Sequence, residues 1–165
     1  MIRPVSRLAC SVAALVLVLA GCGALATQER RAAQGPSAEE IWTARVVLDT
    51  GHEPTFDEKQ RWDDQMDQRI SQYLARNPAL ANSLNVTTFR ITRQVTVGME
   101  RDLVLLLIGP PVLFAKDTAE IEKLARRFWP QVKNNNPKEA WLYPQGWRLF
   151  VDDTRVVDIT QYLEP

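Results

Sequence analysis

An apolar stretch from Leu8 to Ala20, in which Ser11 alone is conventionally polar, runs directly into Gly21-Cys22-Gly23. Two basic residues, Arg3 and Arg7, precede it. A spanning helix needs roughly 20 apolar residues, and this run falls short. It fits an export signal instead, in which a positive start leads into roughly 7–15 apolar residues and small residues at the exit. What remains to fold is then the mature chain 22–165. Cys10 falls in the discarded signal, and the one other cysteine is Cys22 itself. The fold must therefore be built without a disulfide, a thiol nucleophile or a cysteine metal site, although an export compartment would permit a disulfide.

Leu19-Ala20-Gly21-Cys22 resembles the lipobox of bacterial lipoprotein signals. The resemblance implies cleavage just before Cys22, a diacylglycerol on its thiol and acylation of the new amino terminus. Gly23, where an Asp would signal inner-membrane retention in diderm bacteria, implies the outer membrane. Several acyl chains on one cysteine exceed the two signals that stable anchoring takes. The expected partner of this end is thus the membrane, through a lipid anchor, with the domain facing the periplasm.

The whole chain carries 20 basic and 20 acidic residues; losing Arg3 and Arg7 leaves the mature chain near −2. Such a chain has no general electrostatic pull toward nucleic acid, so no nucleic-acid partner is expected. Residues 22–40 read as a tether, without aromatics and with a Gly35-Pro36-Ser37 breaker. Residues 41–165 suit a single domain.

Ile41 to Leu48 reads as a strand or an extended lead-in. Thr55 with Glu58 forms a capping box that opens a helix over about 56–76. Trp62, Met66, Ile70, Tyr73 and Leu74 form its apolar stripe. Asn77-Pro78 ends this helix and can start another. Leu80, Leu84, Thr88, Ile91 and Val95 permit a helix in the next segment, while Phe89, Ile91, Val95 and Val97 alternate as in a strand; helix is the preferred reading of 84–97. Gly98 supplies a turn before an apolar helix through Leu103 to Ile108, and Gly109 is expected as its left-handed cap before Pro110-Pro111. Asp117 and Glu120 open a helix that should run to about Trp129, with Pro130 as its end or kink. From Ala140 onward the period changes: three short strands are separated by Gln145-Gly146 and Asp152-Asp153-Thr154. The expected class is α+β, with N-terminal helices packed on a C-terminal three-stranded antiparallel meander.

These pieces, in this order, resemble the SmpA/OmlA-type small outer-membrane lipoproteins. The residues that carry the resemblance are Val95-x-x-Gly98-Met99, the apolar helix that follows, and Gly109-x-Pro111. Trp141-x-Tyr143, Leu149-Phe150-Val151 and Arg155-Val156-Val157 match the three strands. The match covers about residues 78–165. Val112 to Lys138 departs from it by inserting a helix where typical members have a short link, and the helix around Trp62 lies outside the shared core. The resemblance implies a non-enzymatic domain that supports outer-membrane assembly or envelope integrity through contacts with an assembly complex. The same fold serves elsewhere as an inhibitor or ligand-binding module acting on a periplasmic enzyme, which is the alternative; a purely structural envelope protein is a third.

No catalytic constellation, metal site or cofactor is expected. His52 is the only histidine, beside Glu53-Pro54 in what reads as an exposed loop. Asp63, Asp64 and Asp67 alternate with Lys59, Arg61 and Arg69, as on a solvated charged face. Asp152-Asp153 suits a hairpin turn, and neither a phosphate loop nor a nucleophile elbow occurs. Binding is left to the sheet. Strand alternation sets Trp147 and Phe150 on opposite faces, so one of them should lie on the side the helices leave open. Trp141, Tyr143, Trp147 and Phe150 are accordingly the candidate partner contacts, with Gly98 and Gly109 as structural turns and Cys22 as the lipidation site.

Overall fold

The computed structural model describes residues 28–81 and 89–163. The chain is a mixed α/β protein built on a five-stranded antiparallel sheet. Strands β1 (Gln28–Arg31), β4 (Leu113–Ala115), β5 (Glu139–Leu142), β6 (Trp147–Val151) and β7 (Val156–Leu163) lie in the order β1-β7-β6-β5-β4. A separate two-stranded ribbon pairs β2 (Gln34–Ser37) with β3 (Gln94–Thr96).

The three expected strands are the middle of this sheet, and both edges come from segments not read as strands. β1 pairs along β7, from Gln28 opposite Leu163 to Arg31 opposite Thr160. β4 pairs along β5, with Phe114 opposite Trp141. From Gln28 onward, then, the stretch read as a tether belongs to the fold. Pro36 is accommodated in the short ribbon because its pairing is irregular between Gln34 and Ser37, the kind of position a strand proline tolerates.

The segment 41–48, read as extended, lies within helix α1 (Ala38–Thr50). Ser37 caps it, its side chain accepting from the Glu40 amide at 3.1 Å, and Glu39 and Glu40 place negative charge in its first turn. Helix α2 (Phe56–Arg76) follows the expectation: the Thr55–Glu58 capping box is made, and Met66, Ile70 and Leu74 are buried. A short helix α3 (Pro78–Ala81) starts at the expected proline. In the ambiguous segment, residues 89–92 are helical and 94–96 form β3, divided by Arg93 at φ 45°; Leu84 and Thr88 lie outside the described residues. Helix α4 (Arg101–Ile108) buries Val104, Leu107 and Ile108. Gly98 has φ 90°. Gly109 ends α4 at φ 68° and ψ −171°. That is not the expected left-handed cap but an extended positive-φ conformation open essentially to glycine.

The inserted segment departs most from expectation. Asp117 caps helix α5 (Thr118–Ala125), accepting from the Ala119 amide at 2.9 Å and the Glu120 amide at 3.3 Å. The helix stops at Ala125 because Arg126 adopts φ 53° and ψ −132°. A 3₁₀ turn over Arg126–Phe128 then leads into helix α6 (Trp129–Asn134). Pro130 is not the breaker; it sits in the first turn of α6, where a missing N–H costs nothing.

Both faces of the sheet are filled. On one, Trp141, Tyr143, Trp147, Leu149, Val151 and Ile159 join Ile41, Met66, Ile70, Val104 and Leu107 in one cluster. On the other, Ala140 and Phe150 join Ala115, Ile121, Ala125 and Val132, with Phe128 and Trp129 against them. The alternation along β6 thus sorts as its sequence requires, but no face is left open.

Candidate functional site

The four aromatics expected as partner contacts are core residues. Trp141, Tyr143, Trp147 and Phe150 are all buried, and the polar ends of three are spent inside the protein. Trp141 Nε1 donates to Glu139 at 2.8 Å, Trp147 Nε1 to Glu40 at 2.7 Å, and Tyr143 Oη to the Gly109 carbonyl at 2.8 Å. Burial pushes the Tyr143 phenol well above its usual pKa, against the opposing charge of Arg45. Phe150 would have faced solvent had residues 112–138 been a short link. Instead α5 and α6 lie over it.

The charged residues singled out earlier are on the surface. His52 is exposed, its Nδ1 2.9 Å from the Glu53 carbonyl. Asp63 and Asp67 are exposed and share Arg93, with Asp67 at 2.8 Å, while the Arg93 guanidinium also lies 5.8 Å from the Trp62 ring. Trp62 in turn stacks on Trp42, with ring centroids 4.9 Å apart. Asp152 makes the hairpin turn, accepting from the amides of Thr154 and Arg155, both at 2.7 Å. These two bonds hold its carboxyl below the usual range. Among the described residues no group of three His, Cys, Asp or Glu could hold a metal ion. Cys22 lies outside the described residues.

A constellation not anticipated from the sequence forms where α5 breaks over the β1 edge. The positive φ at Arg126 turns two consecutive arginines toward Glu29, the second residue of β1. Arg127 Nε lies 3.0 Å from Glu29 Oε2, Arg126 Nε meets the other carboxylate oxygen, and Arg127 also donates to the Glu29 carbonyl. The Arg126 guanidinium carbon is 3.9 Å from the centroid of the Tyr162 ring, and that of buried Arg148 is 5.1 Å from the same ring. Glu29 is nearly enclosed, with 11% of its side chain exposed, whereas Arg126 and Arg127 retain 43% and 62%. The cleft between them is lined by Arg148, Thr160 and Gln161 and is too narrow to hold a water molecule. It presents charge at a surface and has no chamber for an enclosed substrate. Among the described residues Glu29 is the one carboxylate paired with either exposed arginine, so the corner carries a net positive charge on a chain that is neutral overall.

Next to it, Asp158 fixes β1 to the sheet. Its buried carboxylate accepts from Arg31 Nε at 2.9 and 3.0 Å, from Asn135 Nδ2 at 2.9 Å and from the Ile159 amide at 2.9 Å. The hydrogen bond to Asp158 raises the Arg31 pKa further above its ordinary value, outweighing desolvation. Only the charge pattern Arg126-Arg127 was visible in the sequence; the partner Glu29 lies about 97 residues away in the chain.

No family model, curated protein or solved structure matches this chain. Among the described residues no helix is long and apolar enough to cross a membrane.

Proposed function

We infer that the protein is a lipid-anchored envelope protein whose single periplasmic domain works by contact and not by catalysis, supporting outer-membrane assembly or integrity. The observation that carries this reading is the sequence Leu19-Ala20-Gly21-Cys22 at the end of a short apolar run with a basic start. The motif order from Val95 to Val157 adds the SmpA/OmlA-like arrangement, in which helices before the sheet pack on a C-terminal meander. Here that meander is widened by an edge strand on each side and roofed by α5 and α6. With the meander aromatics buried, contact with a protein falls to exposed surface. The β4 edge offers Val112, Leu113 and Phe114, all exposed, on a strand whose outer side pairs with no other strand among the described residues. Free edges of this kind accept a further strand from a partner.

Intact-mass analysis of the purified full-length product and fractionation of Cys22→Ala test the anchor. The wild type should lack residues 1–21, carry acyl chains and sediment with the outer membrane, and Cys22→Ala should lose that location. A wild type that is unacylated and wholly soluble overturns it. Crosslinking in the native envelope tests the role: barrel-assembly components captured by wild type and lost in Phe114→Glu support it. A single periplasmic enzyme in their place would establish the inhibitor alternative.

A further inference from the structure

We propose that the Arg126–Arg127 corner is a binding site for the phosphodiester headgroup of anionic phospholipid in the leaflet that holds Cys22; this rests on the anchor reading above. Three independent observations converge on it. The first is backbone strain. Arg126 is a non-glycine residue at φ 53° and ψ −132°, a sparsely populated conformation of the kind that clusters at binding sites. The strain has an identifiable product: it cuts α5 short and sets two guanidiniums side by side at the sheet edge.

The second is charge and shape. One carboxylate, Glu29, aligns both arginines through their Nε groups. Each guanidinium has five donors in a planar fork suited to phosphate oxygens. Of the two exposed arginines, Glu29 neutralises one positive charge and leaves the other, which complements a phosphodiester's single negative charge. Tyr162 supports Arg126 from beneath, and Leu163 is exposed at the adjoining end of β7, opposite Gln28. An aromatic, an exposed leucine and basic groups together suit a membrane interface.

The third is where the chain leads. Six residue steps separate Cys22 from Gln28, and at about 3.5 Å per residue they reach at most about 21 Å. The fold therefore starts much closer to the anchor than a tether ending at residue 40 would allow. β1, with Glu29 as its second residue, is the element the anchor must hold near the bilayer. Charges act over about 8 Å at physiological salt, and a corner on a tether of at most about 21 Å is free to come within that range of the bilayer surface. The mature chain near −2 gains no such attraction from its overall charge.

The test uses the full-length lipoprotein reconstituted in vesicles of phosphatidylcholine, with and without phosphatidylglycerol, and reads amide hydrogen exchange over residues 118–129. Phosphatidylglycerol should slow exchange in this segment by about fivefold per arginine engaged, and high salt should abolish the effect. Arg126→Gln/Arg127→Gln should remove it. Should that pair disturb the strained turn, Arg127→Gln alone, at an exposed position, should reduce the effect about fivefold with circular dichroism unchanged. Equal exchange on both vesicle types, or full protection in a folded Arg127→Gln, overturns the site. So does equal protection by inorganic phosphate on phosphatidylcholine alone, which would make it a free-phosphate site. Intact mass of the same sample separates the two readings. Phosphatidylglycerol-dependent protection in an unacylated chain supports the corner and removes the Cys22 anchor. An acylated chain without that dependence overturns the corner and leaves the anchor standing.

Discussion

Gly146 shows how one residue can be fixed by a distant backbone. It follows Gln145 in the loop between β5 and β6, and both have positive φ, 57° and 71°. A Cβ on Gly146 would lie 1.6 Å from the Tyr162 carbonyl oxygen, a backbone atom that cannot swing aside. Gly146→Ala should therefore cost about 1–3 kcal/mol, toward the upper end because clash adds to strain; a denaturation midpoint equal to wild type would refute this. The Gln-Gly pair marked the turn in the sequence, but the pressure from β7 was not legible, because it depends on how the sheet closes. Glu139 is a second case. Desolvation raises its pKa, yet the hydrogen bond from Trp141 and the charges of Arg101 and Lys116 outweigh it and leave the carboxyl below its ordinary value. A carboxyl depressed in the folded state contributes stability above its unfolded pKa and loses it as pH falls through the folded value. Stability should accordingly fall from about pH 4.5 downward, and Glu139→Gln should flatten that acid limb in urea midpoints measured against pH. An unchanged limb would assign the acid loss to other carboxyls.

At the scale of elements, legibility followed locality. α2 could be read because its capping box and its stripe of Met66, Ile70 and Leu74 lie within one stretch of chain. α1 could not, because Trp42, Val46, Val47 and Leu48 spread its apolar residues around the helix and only Ala38 and Ile41 are buried. β1, with the sequence QERR, has no apolar alternation at all; it is a strand because β7 pairs with it and Asp158 holds Arg31. That dependence yields a prediction. Asp158→Ala leaves the Asn135 amide only its longer bond to the Val157 carbonyl at 3.3 Å, removes the side-chain acceptor of the Ile159 N–H and releases Arg31, which is partly exposed and can turn to water. The expected loss is about 1–3 kcal/mol, with hydrogen exchange accelerating first over 28–31. Exchange there that matches wild type would show that backbone pairing alone retains β1. The break in α5 was hidden for a similar reason: Lys123 to Arg127 is ordinary helix-forming sequence, and the turn at Arg126 is held by Glu29 and Tyr162 from the far end of the sheet.

For the whole molecule, the decisive fact is that the central strands serve two cores at once. The sequence carried the correct alternation, with Trp147 and Leu149 on one face and Arg148 and Phe150 on the other. It did not show that residues 112–138 would roof the second face, because periodicity reports which side of an element is apolar and not what will cover it. Both clusters hang from β5 and β6: Trp147 and Leu149 pack under α1, α2 and α4, and Phe150 packs under α5 and α6. Loosening either face must disturb the same backbone pairing, since Leu149 is opposite Ile159 and Phe150 opposite Asp158 in a single β6–β7 ladder. The domain should therefore unfold in one transition. Trp147→Ala and Phe150→Ala, each emptying a fully packed site, should each cost about 3–5 kcal/mol and shift that one transition as followed by both far-ultraviolet circular dichroism and tryptophan fluorescence. If Phe150→Ala instead splits the curve, with part of the tryptophan fluorescence changing before the sheet melts and that early phase absent once Trp129 is replaced by Phe, the α5–α6 roof is a separate cooperative unit. In that event the Arg126–Arg127 corner, which belongs to the roof, could open while the rest of the domain stays folded.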